Sequence, residues 1–265
     1  MLSKPNFIFS SIFSLSLAVG LGAQGLAPIP GSTAELKQIK QRGYLVIAVK
    51  DNLRPLGFKA ATGQLQGLEI DLARRLAQEL LGRQEAVVFK PVANPNRIPA
   101  VLEGEVDLAI AKVTATASRS RLVNFSAPYY LDGAALVTKE ASIQRLSDLA
   151  QQSIAVLNGS STIATVRYLL PNANLVGVDS YQAGRSLLES GKAVAFAADA
   201  SVLSGWVQEY PEYRLLPTLL SAEPLCVVLP KGIQYDELRR QVDAAIARWK
   251  AEGWLQQRAA YWGLP

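Results

Sequence analysis

The chain has 265 residues, 49% hydrophobic and 18% charged, enough for one large or two small globular domains and too apolar for disorder. Its 27 Lys and Arg outnumber its 22 Asp and Glu, a net charge of +5 that is spread along the chain, so nucleic-acid binding is not indicated. With no histidine and one cysteine, Cys226, the composition excludes imidazole metal sites, Ser-His-Asp triads, cysteine zinc sites and an intramolecular disulfide.

Residues 1–27 read as an export signal. Lys4 gives a positive start, and residues 7–21 are apolar, interrupted by Ser10, Ser11, Ser14 and Ser16. Ala23, Gly25 and Ala27 supply small residues for cleavage, placed after Gly25. The alternative is an uncleaved membrane-anchoring helix. No cysteine lies nearby to carry a lipid, and no later run is long and apolar enough to span a bilayer. The mature chain is therefore expected in the periplasm or another extracytoplasmic space.

Residues 44–49 (YLVIAV) form a continuous apolar run, the pattern of a strand buried on both faces. Leu68, Leu72, Leu76 and Leu80 recur at helical spacing, with Glu69 and Asp71 in the first turn and Gly82 as the stop. Residues 87–92 read as a strand, 98–102 as a short helix and 106–111 as a strand. A second series is expected after Lys139: strand 154–157, helix 162–170, strand 175–178, a helix capped by Ser180, strand 193–198 and helix 200–209. Residues 225–229 are apolar again, and two amphipathic helices finish the chain through Leu238, Val242, Ile246, Trp249, Trp254 and Tyr261. This alternation implies an α/β fold with mainly parallel sheets in two lobes, a barrel fragment being the competing reading.

In open parallel sheets, ligands bind beyond the carboxyl ends of the strands. Lys50 follows the first strand there. Ala111, Lys112 and Thr114 lie at the end of the 106–111 strand, with Arg119 just beyond. The 154–157 strand leads to Ser160, Ser161 and Thr162 at the opening of a helix, and Asp199 follows the 193–198 strand. Each has a plain alternative: a solvated lysine or arginine, or a helix cap. If these ends face one crevice, Arg119 can grip a carboxylate with two parallel bonds. Thr114 and the N–H groups of Ser160–Thr162 would complete that shell, and Asp199 would take an ammonium. That set describes an α-amino acid. The remaining charges, Lys50, Arg97 and Lys112, are positive, as an additional side-chain carboxylate would require.

Further marks are Gly67-Leu68-Glu69-Ile70-Asp71-Leu72-Ala73, Gly104-Glu105-Val106-Asp107-Leu108, Val123-Asn124-Phe125-Ser126-Ala127-Pro128-Tyr129-Tyr130 and Glu252-Gly253-Trp254. With these, residues 36–265 resemble the family 3 extracellular solute-binding proteins, the amino-acid-capturing subunits of ABC importers. The resemblance implies a type II periplasmic-binding-protein fold: two α/β lobes joined by two hinge crossings that close over the ligand. Lobe 1 would span residues 33–132 and 226–265, and lobe 2 residues 133–225. The family's carboxylate-clamping arginine falls on Arg119, its hydroxyl partner on Thr114, its anion-binding turn on Ser160–Thr162 and its ammonium-binding aspartate on Asp199.

Departures from the family pattern bear on specificity. Leu53 stands where many members carry a stacking aromatic ring, which disfavours arginine or histidine as ligand. Lys50, where members binding basic or amide side chains often have Asp, resembles with Arg97 the aspartate/glutamate branch. Lys112 matches no family contact and is expected either in solvent or narrowing the pocket. The expected partners are an amino acid, aspartate or glutamate ahead of glutamine or another neutral polar amino acid, and a membrane permease, with the chain a monomer that uses no cofactor or metal. A periplasmic dehydratase on the same fold, with Glu223 as its acid or base, is the enzymatic alternative.

Overall fold

The structure, a computed structural model, describes residues 35–265, so the expected export signal and the first residues assigned to lobe 1 lie outside the described residues. The first element among the described residues, α1 (Leu36–Arg42), ends at Gly43, whose left-handed backbone returns its N–H to the Ile39 carbonyl. β1 (Leu45–Val49) is buried at four of its five residues. Three short antiparallel strands follow: β2 (Asn52–Leu53), β3 (Gly57–Lys59) and β4 (Leu65–Gln66). α2 (Leu68–Leu81) buries Leu68, Leu72 and Leu76 and stops at Gly82, φ 76°. β5 (Val87–Pro91), α3 (Pro99–Leu102), β6 (Leu108–Ile110) and β7 (Asn124–Asp132) then lead to a first crossing.

Beyond Gly133 the chain enters a second sheet with β8 (Ala134–Thr138), β9 (Ser153–Leu157), α4 (Thr162–Leu169) and β10 (Asn174–Val178). α5 (Tyr181–Glu189) starts where the Ser180 hydroxyl accepts the Ala183 N–H at 3.1 Å. β11 (Ala195–Asp199), α6 (Ala200–Glu209) and β12 (Arg214–Leu215) complete that half. β13 (Glu223–Leu229) returns to the first sheet, and α7 (Asp236–Ala251) and α8 (Trp254–Tyr261) pack on it.

Both sheets repeat one plan, β5-β1-β6-β13-β7 and β10-β9-β11-β8-β12. In each, the first three strands are parallel, the fourth (β13 or β8) runs against both of its neighbours, and the fifth again runs with the first three. The antiparallel strands are those beside the crossings. They alter the sequence reading at one boundary: the second series begins at Ala134, not after Lys139. Only Gly133 separates β7 from β8, so no turn signal marks the change of sheet. Each sheet has apolar residues packed on both faces. Ile47, Leu76, Ile246 and Trp249 lie on one face of the first, Val101, Ala109 and Val228 on the other. Phe196, Leu203 and Trp206 lie on one face of the second, Leu136, Ile154 and Val166 on the other.

The crossings touch. A Cβ on Gly133 would sit 1.9 Å from the Ser221 carbonyl oxygen, so only glycine lets the two segments pass this closely. The Ser221 hydroxyl accepts the Ala134 N–H at 2.9 Å, and the Gly133 carbonyl accepts the Ala200 N–H at 2.7 Å.

A candidate binding cleft between the strand ends

Because β1, β5 and β6 are parallel, Lys50, Val92 and Ala111–Lys112 emerge at one edge of the first sheet. β9, β10 and β11 bring Asn158, Asp179 and Asp199 to the corresponding edge of the second. The edges face each other, since the Lys112 ammonium of the first forms an ion pair with the Asp199 carboxylate of the second. Asp199 is also the residue before α6, and its side chain does not cap that helix. The helix-cap alternative is thereby set aside.

The first-sheet side holds three cations bound to carbonyl oxygens. Lys50, 5% exposed, donates to the Val92 carbonyl at 2.9 Å. The Arg97 guanidinium donates to the carbonyls of Asn94 at 2.8 Å, Ala111 at 3.1 Å and Lys112. Arg119 donates to the Thr114 carbonyl at 2.9 Å. Arg97 and Arg119 share a recess of about 240 Å³ with Asn94, Pro95, Ile98 and Val113. Burial, then the Arg119 charge, hold the Arg97 pKa below its usual range; burial, then Arg97, do the same to Lys50. Burial outweighs the opposing influence of Asp51 and Glu69 on Lys50, and that of Glu69 on Arg97.

One carboxylate lies beneath them. Glu69 is fully buried, its Oε1 accepting the Tyr129 hydroxyl and the Lys112 N–H, each at 2.6 Å. Its Oε2 is buried without a hydrogen-bond partner. Burial is the main influence and raises its pKa, while Tyr129, the Lys112 N–H and the charges of Lys112 and Arg97 pull the other way. The sequence pattern placed Glu69 only as a dipole-favoured acid in the first helical turn. No feature of the sequence distinguished it from Asp71, which pairs with Arg258 and Trp262 instead.

At the crossings the sign of charge reverses. Asp132 accepts the N–H groups of Gly133 at 2.9 Å and Ser201 at 3.0 Å, and its other oxygen accepts the Ser201 hydroxyl at 2.5 Å. That oxygen lies 3.9 Å from the Lys112 ammonium. Glu223 pairs with Asp132 across β7 and β13. Burial and the neighbouring Asp199 charge raise the Glu223 pKa, and Lys112 opposes them. Asp199 and Asp132 thus face one lysine, and Glu223 lies near enough to feel its charge. Asp132 escaped the sequence reading because it closes β7, a segment not identified there as a strand.

The remaining candidates divide. Gly159, φ 72°, makes the turn before α4, but the Ser160 N–H donates to Leu157 at 3.2 Å. It is therefore not free to receive an anion, contrary to the expectation for that residue. The Ser160 hydroxyl is buried without a partner, Thr162 is buried and Ser161 is exposed. Leu53 lines a separate recess between the halves with Arg54, Tyr181, Arg185, Trp206 and Tyr210.

Residues 45–265 match the family described as bacterial extracellular solute-binding proteins, family 3. A glutamine-binding protein of Geobacillus stearothermophilus is 33% identical over 195 residues, 72% of this chain and 74% of that protein. The glutamate-binding protein GluB of Corynebacterium efficiens is 28% identical over 228 residues, 82% of this chain and 78% of that one. Among solved structures, an ancestral cationic amino acid solute binding protein matches with a TM-score of 0.73 at 28% identity, covering 86% of this chain and 99% of its own. The repeated sheet plan and the polar cleft between facing strand ends are thus those of a type II binding protein, and the chain belongs to the bacterial extracellular solute-binding proteins, family 3.

Proposed function

We propose that this chain captures a polar α-amino acid, aspartate or glutamate ahead of glutamine, and delivers it to the membrane permease of an ABC importer on the extracytoplasmic side. One observation carries the reading: charge is separated across the cleft. Lys50, Arg97 and Arg119 gather at the first-sheet edge, while Asp132, Asp199 and Glu223 gather at the crossings. A zwitterion lies naturally along that axis, its carboxylate toward Arg119 and its ammonium toward Asp199. A second carboxylate on the guest meets Arg97 and Lys50, whose charges are held by carbonyl oxygens. The relatives support the class, one named for glutamine and one for glutamate.

Contacts to both sheets let the guest favour a closed arrangement of the lobes over an open one. Micromolar binding corresponds to about 8 kcal/mol. Two or three charge-assisted bonds at about 1.5–3 kcal/mol each supply most of that before the cost of closure.

Isothermal titration with glutamate, aspartate and glutamine tests the assignment. Arg119→Ala should abolish binding of every α-amino acid, and Lys50→Ala should weaken glutamate far more than glutamine. Equal losses for the two ligands in Lys50→Ala would remove the acidic-ligand assignment and leave glutamine as the alternative. Glu223 favours a second reading, a dehydratase acting on a small hydroxy-carboxylic acid, because its raised pKa suits a proton donor. Turnover of cyclic hydroxy acids by the purified protein would establish that reading in place of transport.

A further inference from the structure

Lys112 adopts φ 51°, the left-handed backbone region that glycine enters freely and lysine rarely does. The turn is fastened on both sides: Glu69 accepts the Lys112 N–H at 2.6 Å, and Arg97 donates to the Lys112 carbonyl. This conformation sends the ammonium across the cleft to Asp199, the carboxylate that a guest's α-ammonium would otherwise take. Asp132 lies 3.9 Å from the ammonium, and Glu223 is its cross-strand neighbour.

Resting on the amino-acid reading above, we infer that Lys112 is a resident competitor for the guest's ammonium at Asp199, and so lowers the cleft's discrimination between an α-amino acid and the same acid without its amino group. An arriving ammonium either displaces Lys112 toward Asp132 and Glu223 or shares Asp199 with a like charge a few ångströms away. In both cases the bond it forms is weaker than Asp199 would give alone. A guest without an amino group meets no such competition. Its carboxylates gain from Lys112 together with Arg97 and Arg119.

Titration of the wild type, Lys112→Met and Lys112→Arg with glutamate, and with glutarate as its des-amino counterpart, reads the effect. The preference for glutamate over glutarate should rise at least tenfold in Lys112→Met and stay near the wild-type ratio in Lys112→Arg. An unchanged or smaller ratio in Lys112→Met overturns the inference, because Lys112 would then be gripping a carboxylate that both ligands share. Thermal melts without ligand test the pair separately. Losses in Lys112→Met and Asp199→Asn should be non-additive in the double variant, and additive losses would show that the two groups do not act together. If neither glutamate nor any other amino acid binds the wild type, the carrier reading falls while the melts still decide whether Lys112 holds Asp199.

Discussion

Glu69 has Oε1 satisfied twice and Oε2 buried without a partner, and burial raises its pKa above that of the unfolded chain. The folded state therefore binds this proton more tightly than the unfolded state does. The stability it contributes is fully present below the unfolded carboxyl value, about 4.3, and is lost as pH rises through the raised folded value. Glu69→Gln keeps an oxygen acceptor but does not titrate. Melts from pH 4 upward should show the wild type losing stability relative to Glu69→Gln as pH rises, and parallel curves would exclude this role. Charged residues at strand ends were visible in the sequence, because strand and helix periodicity locate those ends. Their partners were not. Lys50, Arg97 and Arg119 are held by the carbonyls of Val92, Ala111 and Thr114, atoms every residue type carries.

Among the elements, long periodic ones were legible and short or interrupted ones were not. The leucine ladder gives α2, and α6 begins and ends where its apolar pattern does. β2, β3 and β4 are two or three residues long, too short to show an alternation. β7 contains Pro128 and runs into β8 through a single glycine, so the first crossing had no composition mark. That glycine governs the geometry of both crossings. Gly133→Ala places a methyl 1.9 Å from the Ser221 carbonyl oxygen, which is backbone and cannot rotate away. Urea unfolding should show a loss of about 2–3 kcal/mol. The Ala134 N–H to Ser221 bond and the Ala200 N–H to Gly133 bond would be strained with it. Unchanged stability would mean that the crossings separate without cost.

Across the whole molecule, α6 is the element that ties the halves together. Its start is fixed to the first crossing by Asp132 and Ser201, and Asp199 beside it reaches Lys112. Further along, Gln208 donates to the Trp262 carbonyl at 2.6 Å, and a Cβ on Gly205 would lie 2.3 Å from the Arg54 carbonyl oxygen. Each half otherwise packs its own core, so a guest gripped from both edges adds a link that neither core provides. At about 100 times Kd, native-state binding adds about 2.7 kcal/mol, which for a protein of this size raises Tm by about 5–10 °C. Scanning calorimetry with saturating glutamate should show the unfolding of both halves moving upward together. Arg119→Ala on one edge should remove the shift, and Asp199→Asn on the other should reduce it for both halves. A ligand that raised the melting of one half alone, or an Asp199→Asn protein that kept the full shift, would mean that the guest rests on a single lobe and that closure is not driven through this cleft.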